Sequence, residues 1–290
     1  MTQAVNPQEF ENSVKNFSNQ RAGLLSELLF DTLNLNSDDF KIIIKLGAVY
    51  VNNERQLRDK LISENNLIRV HTKPRRFDCN FKWESLIIYE NDFCLILNKP
   101  SGIPSHPLID NVIENSLTQT SRSRNYPLYI THRLDTLTSG LIVYAKKQQF
   151  VKSFNIQLQE RSIKKKYVAL VENTQIFPKK LVHYMEPTAR TPKKVSPHFN
   201  EDWPICELEI LEQKIISPDL SWIKINLLTG RTHQIRAQLS HLQSPINGDL
   251  LYGSQLVFQK NAIALKSCEV EFNCGDERMH FSLNEEFNIF

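Results

Sequence analysis

The sequence predicts an α+β fold built on a mixed, largely antiparallel sheet, and three observations lead there. Short apolar runs, among them Leu86-Ile87-Ile88, Leu95-Ile96-Leu97 and Leu141-Ile142-Val143, are separated by turn signals such as Asn98-Lys99-Pro100-Ser101-Gly102. Helical spacing interrupts these strands at Phe150, Phe154 and Leu158 and again at Ile235, Leu239 and Leu242. A length of 290 residues accommodates one large domain with a sizeable core plus a small appendage.

The appendage is expected at residues 18–77. Leu24, Leu25, Leu28 and Leu29 recur at helical spacing, and Asp38 or Asp39 is placed to cap a second helix with the face Phe40, Ile43 and Ile44, ended by Gly47. Val49 and Val51 flank Tyr50 and run into the turn dipeptide Asn52-Asn53, which predicts helix, helix and then a β-hairpin. In the run from Arg69 to Arg76 the groups Arg69, His71, Lys73 and Arg75 alternate, so an extended chain would show them on one side. Such a stripe suits a phosphate backbone and equally suits a charged strand edge that resists aggregation. The large domain is expected at residues 83–290.

Apolar residues make up 41% and charged residues 23% of the chain, and its apolar runs fall far short of the ~20 residues a membrane helix needs. Residues 1–12 are polar and lack a basic stretch followed by an apolar one, so no secretory signal is expected and a cytosolic location is. Five cysteines without CxxC spacing argue for reduced thiols rather than a disulfide frame or a zinc site. A net charge of +3 does not by itself identify a polyanionic partner.

Two polar segments carry the chemistry. Thr131-His-Arg-Leu-Asp-Thr-Leu-Thr-Ser-Gly140 runs straight into an apolar strand, and Asp135, flanked by His132 and Arg133, is its single carboxylate. A carboxylate kept charged by cations serves as nucleophile or base. An Asp in a Thr/Ser-rich turn is more often a cap, so the residues alone leave both roles open. The second segment, Leu228-Thr-Gly-Arg-Thr-His-Gln-Ile-Arg236, follows the alternating strand Ile223, Ile225, Leu227. Gly230 permits a sharp turn, and Thr229 or Thr232 is placed to cap a helix. The first turn of that helix would then carry Arg231, His233 and Gln234 as donors beside its positive end. Arg236 lies at the margin of the buried stripe, where it can meet a carboxylate or form a surface ion pair. HExxH, GxSxG and Walker patterns are missing from the sequence.

These two segments, followed by Pro245-Ile-Asn-Gly-Asp-Leu-Leu-Tyr-Gly253, resemble in order the signature segments of RluA-type RNA pseudouridine synthases. Asn98 to Pro107 resembles the family's early strand-turn segment, and Lys164-Lys-Lys-Tyr-Val-Ala-Leu170 the strand that bears its tyrosine. The likeness covers about residues 83–270, and residues 18–77 resemble a degenerate form of the small ribosomal-protein-like RNA-binding module common in the family. It implies a pseudouridine-synthase-type catalytic domain that turns specific uridines of transfer or ribosomal RNA into pseudouridine, without metal or organic cofactor.

By that resemblance Asp135 is the catalytic aspartate, Tyr167 stacks on the target base and assists proton removal, Arg236 pairs with Asp135, and Arg133 takes the place of the flipped-out base. His132, Arg231, Thr232, His233 and Gln234 are expected at the substrate. Arg69, Lys73, Arg75, Lys164 and Lys165 are expected along the RNA, with further basic residues at Arg161, Lys166, Lys179, Lys180, Arg190, Lys193 and Lys194. The Pro- and Lys-rich stretch Thr188–Trp203 is expected to be a loop that closes on RNA. Two departures stand out: Ser105 where an apolar residue is usual, and Ala264-Leu-Lys266 where Leu-His is usual. The expected state is a monomer with no membrane association. The chief alternative is an RNA-binding or assembly protein that has lost catalysis. A glycosidase would need a second acid that neither segment supplies.

Overall fold

The computed structural model describes residues 13–287, so the expectation about a secretory signal, which concerns residues 1–12, lies outside the described residues. The chain forms two compact units: residues 13–81 with 106–125, and residues 82–105 with 126–287.

The first unit contains β1 (Val14–Ser18), β2 (Gly23–Leu24), α1 (Leu25–Leu33), α2 (Ser37–Leu46), β3 (Val49–Val51), β4 (Glu54–Gln56), β5 (Leu61–Ile62), β6 (Leu67–His71) and α3 (Ser116–Arg124). Leu25, Leu28 and Leu29 of α1 and Phe40, Ile43 and Ile44 of α2 form one core with Val49, Val51, Ile68 and Val70 from the sheet β1-β6-β3-β4. Asn36, rather than Asp38 or Asp39, caps α2: its side chain accepts both aspartates' backbone N–H groups, which leaves their carboxylates in the first turn beside the positive helix end. Gly47 closes the helix with φ 69°, and Asn52 and Asn53 both take positive φ in the two-residue hairpin turn. Residues 106–125, expected from the sequence to go with 83–290, pack in this unit for a polar reason. Arg75 forks onto the buried Asp110, Arg76 forks onto Glu114, and Arg55 donates to the carbonyls of Leu108 and Ile109.

The second unit contains β7 (Ile87–Glu90), β8 (Cys94–Lys99), β9 (Tyr129–Ile130), β10 (Ser139–Ala145), α4 (Gln148–Gln159), β11 (Lys164–Glu172), β12 (Lys180–Met185), β13 (Val195–Ser196), β14 (Ile205–Ser217), β15 (Leu220–Leu227), α5 (Gln234–His241), β16 (Leu265–Cys274) and β17 (Glu277–Ser282). Its strands make one eleven-stranded sheet in the order β13-β12-β14-β15-β11-β16-β10-β8-β7, with β17 beside β16 and β9 beside β10. Only the β10–β16 pair is parallel among the described residues. Phe150 and Phe154 of α4 pack on Phe272 and the β8 and β10 side chains, which is the apolar stripe read from their spacing. No helix among the described residues is long and apolar enough to cross a membrane.

At the β10–β16 crossing Gly140 has φ 107°, and a Cβ there would lie 2.2 Å from the Ser267 carbonyl oxygen. Gly275, also at positive φ, has open space around it. Gly140→Ala is therefore expected to cost about 3 kcal/mol or more in urea unfolding, against about 1 kcal/mol for Gly275→Ala. Equal costs for the two would remove the case for steric closure at this crossing.

Candidate active site

The segment from Thr131 to Gly140 is held by its neighbours before it reaches β10. Ser105 is buried, and its hydroxyl donates to the Leu134 carbonyl (2.7 Å) and accepts the Leu134 N–H (3.0 Å), one residue before Asp135. The departure at position 105 thus satisfies two backbone groups that an apolar residue would leave unpaired. The Asp135 carbonyl accepts the Thr138 N–H in a tight turn, while the Thr136 carbonyl accepts the Gly102 N–H (2.8 Å).

Lys99 is fully buried, and its Nζ donates to the carbonyls of Pro100 (2.8 Å), Ile103 (2.8 Å) and Thr136 (3.4 Å). Burial pushes this amine down to about 7 and the charge of Asp135 opposes the shift; three carbonyls match the three N–H donors of the ammonium. Lys99→Met would take this donor from the Pro100 and Ile103 carbonyls and leave Thr136 only its bond from Gly102, so we expect a loss of about 2 kcal/mol together with slower turnover, read by urea unfolding and by activity on one sample. A variant as stable and active as the native chain would refute this role.

Asp135 is 23% exposed, and its Oδ2 lies 3.2 Å from Nη1 of Arg236, which is 3% exposed. Arg236 uses its remaining fork on Asp249, itself 1% exposed, through Nε (2.7 Å) and Nη2 (2.9 Å). One buried guanidinium therefore bridges two carboxylates. Burial, the largest influence, would lower the Arg236 pKa, but the bonds and charges of Asp249 and Asp135 together raise it, so the cation is permanent. Asp249, which lies in the Pro245–Gly253 segment, drew no role from the sequence, because nothing local shows that residues 13 positions apart will share a buried pair.

Tyr167 is buried on β11, opposite Ile225 on β15 and Ser267 on β16. A register shift between Lys166 and Tyr167 against β16 turns the strand at this point, as bulges beside functional sites do. Burial raises its phenol well above the usual tyrosine range; a bond with Ser267 opposes this and the charge of Asp135 adds to it. Tyr167 is thus neutral in the free protein. Burial also pushes Lys165 below the usual lysine range, and a Cβ on Gly230 would lie 3.2 Å from its Nζ, so the turn before α5 passes close to this amine.

The N-terminus of α5 differs from the expectation in its cap. His233, with φ 59°, precedes the helix, and neither Thr229 nor Thr232 caps it. The Thr229 hydroxyl instead accepts the Glu207 N–H (2.8 Å) and donates to Gln234 Oε1 (2.8 Å), which also takes the Arg231 N–H (3.1 Å). Gln234 is buried and also donates to Glu207 and Gln238, so it organises the turn. Arg231 and Thr232 are exposed, as is Arg133. His233 places Nε2 3.8 Å from Asp135 Oδ2. His132 accepts the Val143 N–H at Nε2 (3.1 Å) and stacks on Phe154, and burial pushes its imidazole down to about 3, so this partly buried ring is neutral.

Of the residues expected along the RNA, Lys164 is exposed with Glu271 at 3.5 Å. In the first unit β6 ends at His71, so Lys73 and Arg75 do not continue its alternation. Lys73 is exposed, Arg75 is forked onto Asp110 at 2.5 Å, and the Arg69 guanidinium lies 4.3 Å from the Tyr50 ring centre. The stripe is thus partly engaged in internal contacts. Lys266, the second departure, donates to the carbonyls of Asn284 and Glu286. Thr188–Trp203 is largely the connection from β12 through the short strand β13, whose Val195 and Ser196 pair with Met185 and Tyr184.

A family model described as RNA pseudouridylate synthase matches residues 93–241, about half the chain. Ribosomal large subunit pseudouridine synthase C of Buchnera aphidicola subsp. Baizongia pistaciae (strain Bp) is 32% identical over 270 residues, covering 87% of this chain and 83% of that protein. RNA pseudouridine synthase 6, chloroplastic, of Oryza sativa subsp. japonica is 34% identical over 209 residues, covering 64% of this chain. This chain spans only 44% of the length of that rice protein and of its Arabidopsis thaliana counterpart. Among solved structures, Human RNA Pseudouridylate Synthase Domain Containing 4 aligns with a TM-score of 0.56 at 19% identity, covering 70% of this chain and 89% of that one. Human RNA Pseudouridylate Synthase Domain Containing 1 aligns at 0.54 and 23%, covering 68% and 82%. At those identities the structures speak for a shared fold.

Proposed function

Since the chain belongs to the RNA pseudouridylate synthase family, we propose that it isomerises specific uridines of structured RNA to pseudouridine, with Asp135 as the catalytic carboxylate. The observation that carries this reading is the partly exposed Asp135 carboxylate against a buried, permanently charged arginine. The buried guanidinium sets a fixed positive charge against this carboxylate, which offsets its repulsion of the phosphates of the substrate.

The reaction breaks the C1′–N1 bond of uridine, turns the uracil and joins C1′ to C5. The C5 hydrogen leaves as a proton and N1 takes one up, so the change is an isomerisation with no net electron transfer. Asp135 acts by adding covalently or by removing a ribose proton. A uridine inside a helix must first be flipped out, and in this reading Tyr167 stacks on the base while Arg133, exposed beside Asp135, fills the gap. Tyr167 enters as a neutral phenol, a ring and a hydrogen-bond donor, and to assist proton removal it must first pass its own proton on, which requires that the bound substrate change its surroundings. Lys164 and Lys165 meet phosphates, and the module at residues 18–77 adds further RNA contacts.

The Buchnera relative is named for the ribosomal large subunit, which makes ribosomal RNA the first substrate to try and transfer RNA the second. The proposed working state is a monomer in the cytoplasm or an equivalent RNA-containing compartment. Because the new bond forms at C5, RNA labelled with [5-³H]uridine releases tritium to water in proportion to product. We expect release from large-subunit ribosomal RNA or transfer RNA. Tight binding without release would favour the inactive RNA-binding alternative.

A further inference from the structure

We propose that His233 and Tyr252 are positioning residues for Asp135, and that through them the loop carrying Lys193 is tied to the catalytic carboxylate. This rests on the reading of Asp135 above. It starts from an outlier: His233 holds a left-handed backbone (φ 59°) at the start of α5 and makes no capping bond there. A non-glycine residue in that region costs about 1 kcal/mol or more and is a reason to look for a role.

The conformation places the imidazole between two groups. Its Nδ1 lies 3.1 Å from the Tyr252 hydroxyl, and its Nε2 lies 3.8 Å from Asp135 Oδ2. Tyr252 is buried, meets His233 edge-on (5.7 Å, 75°), and carries the Arg236 guanidinium 4.8 Å from its ring centre. It therefore touches both neighbours of the carboxylate. Its hydroxyl oxygen accepts the backbone N–H of Lys193 at 2.8 Å.

The direction of the chain of bonds follows. A phenol has one hydrogen. With Lys193 donating to one lone pair of the oxygen, that hydrogen is assigned to His233 Nδ1 as its acceptor, the opposite tautomer being the one in which an Nδ1–H donates to the oxygen's second lone pair. The ring proton then resides on Nε2, facing the carboxylate. Burial, the largest influence, keeps this imidazole below its ordinary pKa despite Asp135, with Arg236 adding to the effect, so it is neutral. At 3.8 Å the Nε2–H is just beyond a hydrogen bond, and a shift of under about 1 Å closes it.

The far end of the link belongs to the loop between β12 and β13. Lys193 Nζ donates to the Thr188 carbonyl, the Glu186 N–H to the Lys194 carbonyl, and Arg190, Thr191 and Pro192 between them are exposed. An RNA strand held by Arg190 and Lys194 would move the Lys193 amide, and with it Tyr252, His233 and the second contact made to Asp135 Oδ2.

The test uses the full chain in single-turnover tritium release from a [5-³H]uridine large-subunit ribosomal RNA transcript, with the dissociation constant measured in parallel. Tyr252→Phe and His233→Phe should each slow the step about tenfold, the worth of one lost hydrogen bond, while binding stays within about twofold. His233→Gln, whose amide can donate toward Asp135, should recover most of the rate lost in His233→Phe. A structural role alone would not show that rescue. Imidazole ¹⁵N signals of the RNA-free native chain should show the Nε2–H tautomer, and Tyr252→Phe should reduce it. Unchanged rates, a loss confined to RNA binding, or an Nδ1–H tautomer in the native chain would overturn the proposal. A native chain inactive on the transcript while showing the Nε2–H tautomer would instead count against the enzymatic reading and leave the link supported.

Discussion

Asp135→Asn is expected to lower tritium release by about 10³-fold or more while leaving RNA binding and the melting temperature close to native. An amide has the shape of the carboxylate without its nucleophilic or basic oxygen, and both routes open to Asp135 need that oxygen. The fold should tolerate the change, because Arg236 keeps both of its bonds to Asp249 and the loop around residue 135 is held by Ser105, Lys99 and Gly102 rather than by the carboxylate. Residual activity within about tenfold of native would mean that the carboxylate is a turn residue, the ordinary fate of an aspartate in such a segment.

The largest stability effect is expected at Asp249. Asp249→Ala removes two of the three hydrogen bonds made by a guanidinium that is 3% exposed. A buried charge stripped of its partner costs about 3–5 kcal/mol, so the urea midpoint should fall sharply with little change in the slope. Arg236→Met should be comparably costly, because it leaves Asp249, 1% exposed, without a counter-charge. The pair Arg236→Met with Asp249→Leu should recover a good part of the loss, since no buried charge remains, yet it should stay inactive. A cost below about 1 kcal/mol for Asp249→Ala would show that the bridge is not a structural element of the site.

Local signals were legible in the sequence. The α1 and α2 stripes, Gly47, the Asn52-Asn53 turn, the strands around Leu95 and Leu141 and the helices at Phe150 and Ile235 all depend on spacing or on a residue's own backbone preference. The Asp135–Arg236 contact was also anticipated, through the resemblance of two segments 101 residues apart. What escaped depends on tertiary partners. Alternation places Arg69, Lys73 and Arg75 on one side only if the strand continues, whereas β6 stops at His71 and Arg75 pairs with the buried Asp110. Thr229 has the chemistry of a cap but is engaged by Glu207 from β14, which leaves the helix start to His233. Lys99 and Asp249 drew no individual role from the sequence, because only the folded chain buries them among the Pro100, Ile103 and Thr136 carbonyls and against Arg236.

Pseudouridine mapping across ribosomal and transfer RNA bears most directly on the central claim, in cells that lack the chain and are complemented with the native form or with Asp135→Asn. One or a few uridines should lose modification and regain it with the native chain alone. Full restoration by Asp135→Asn, or no site that depends on the chain, would contradict it.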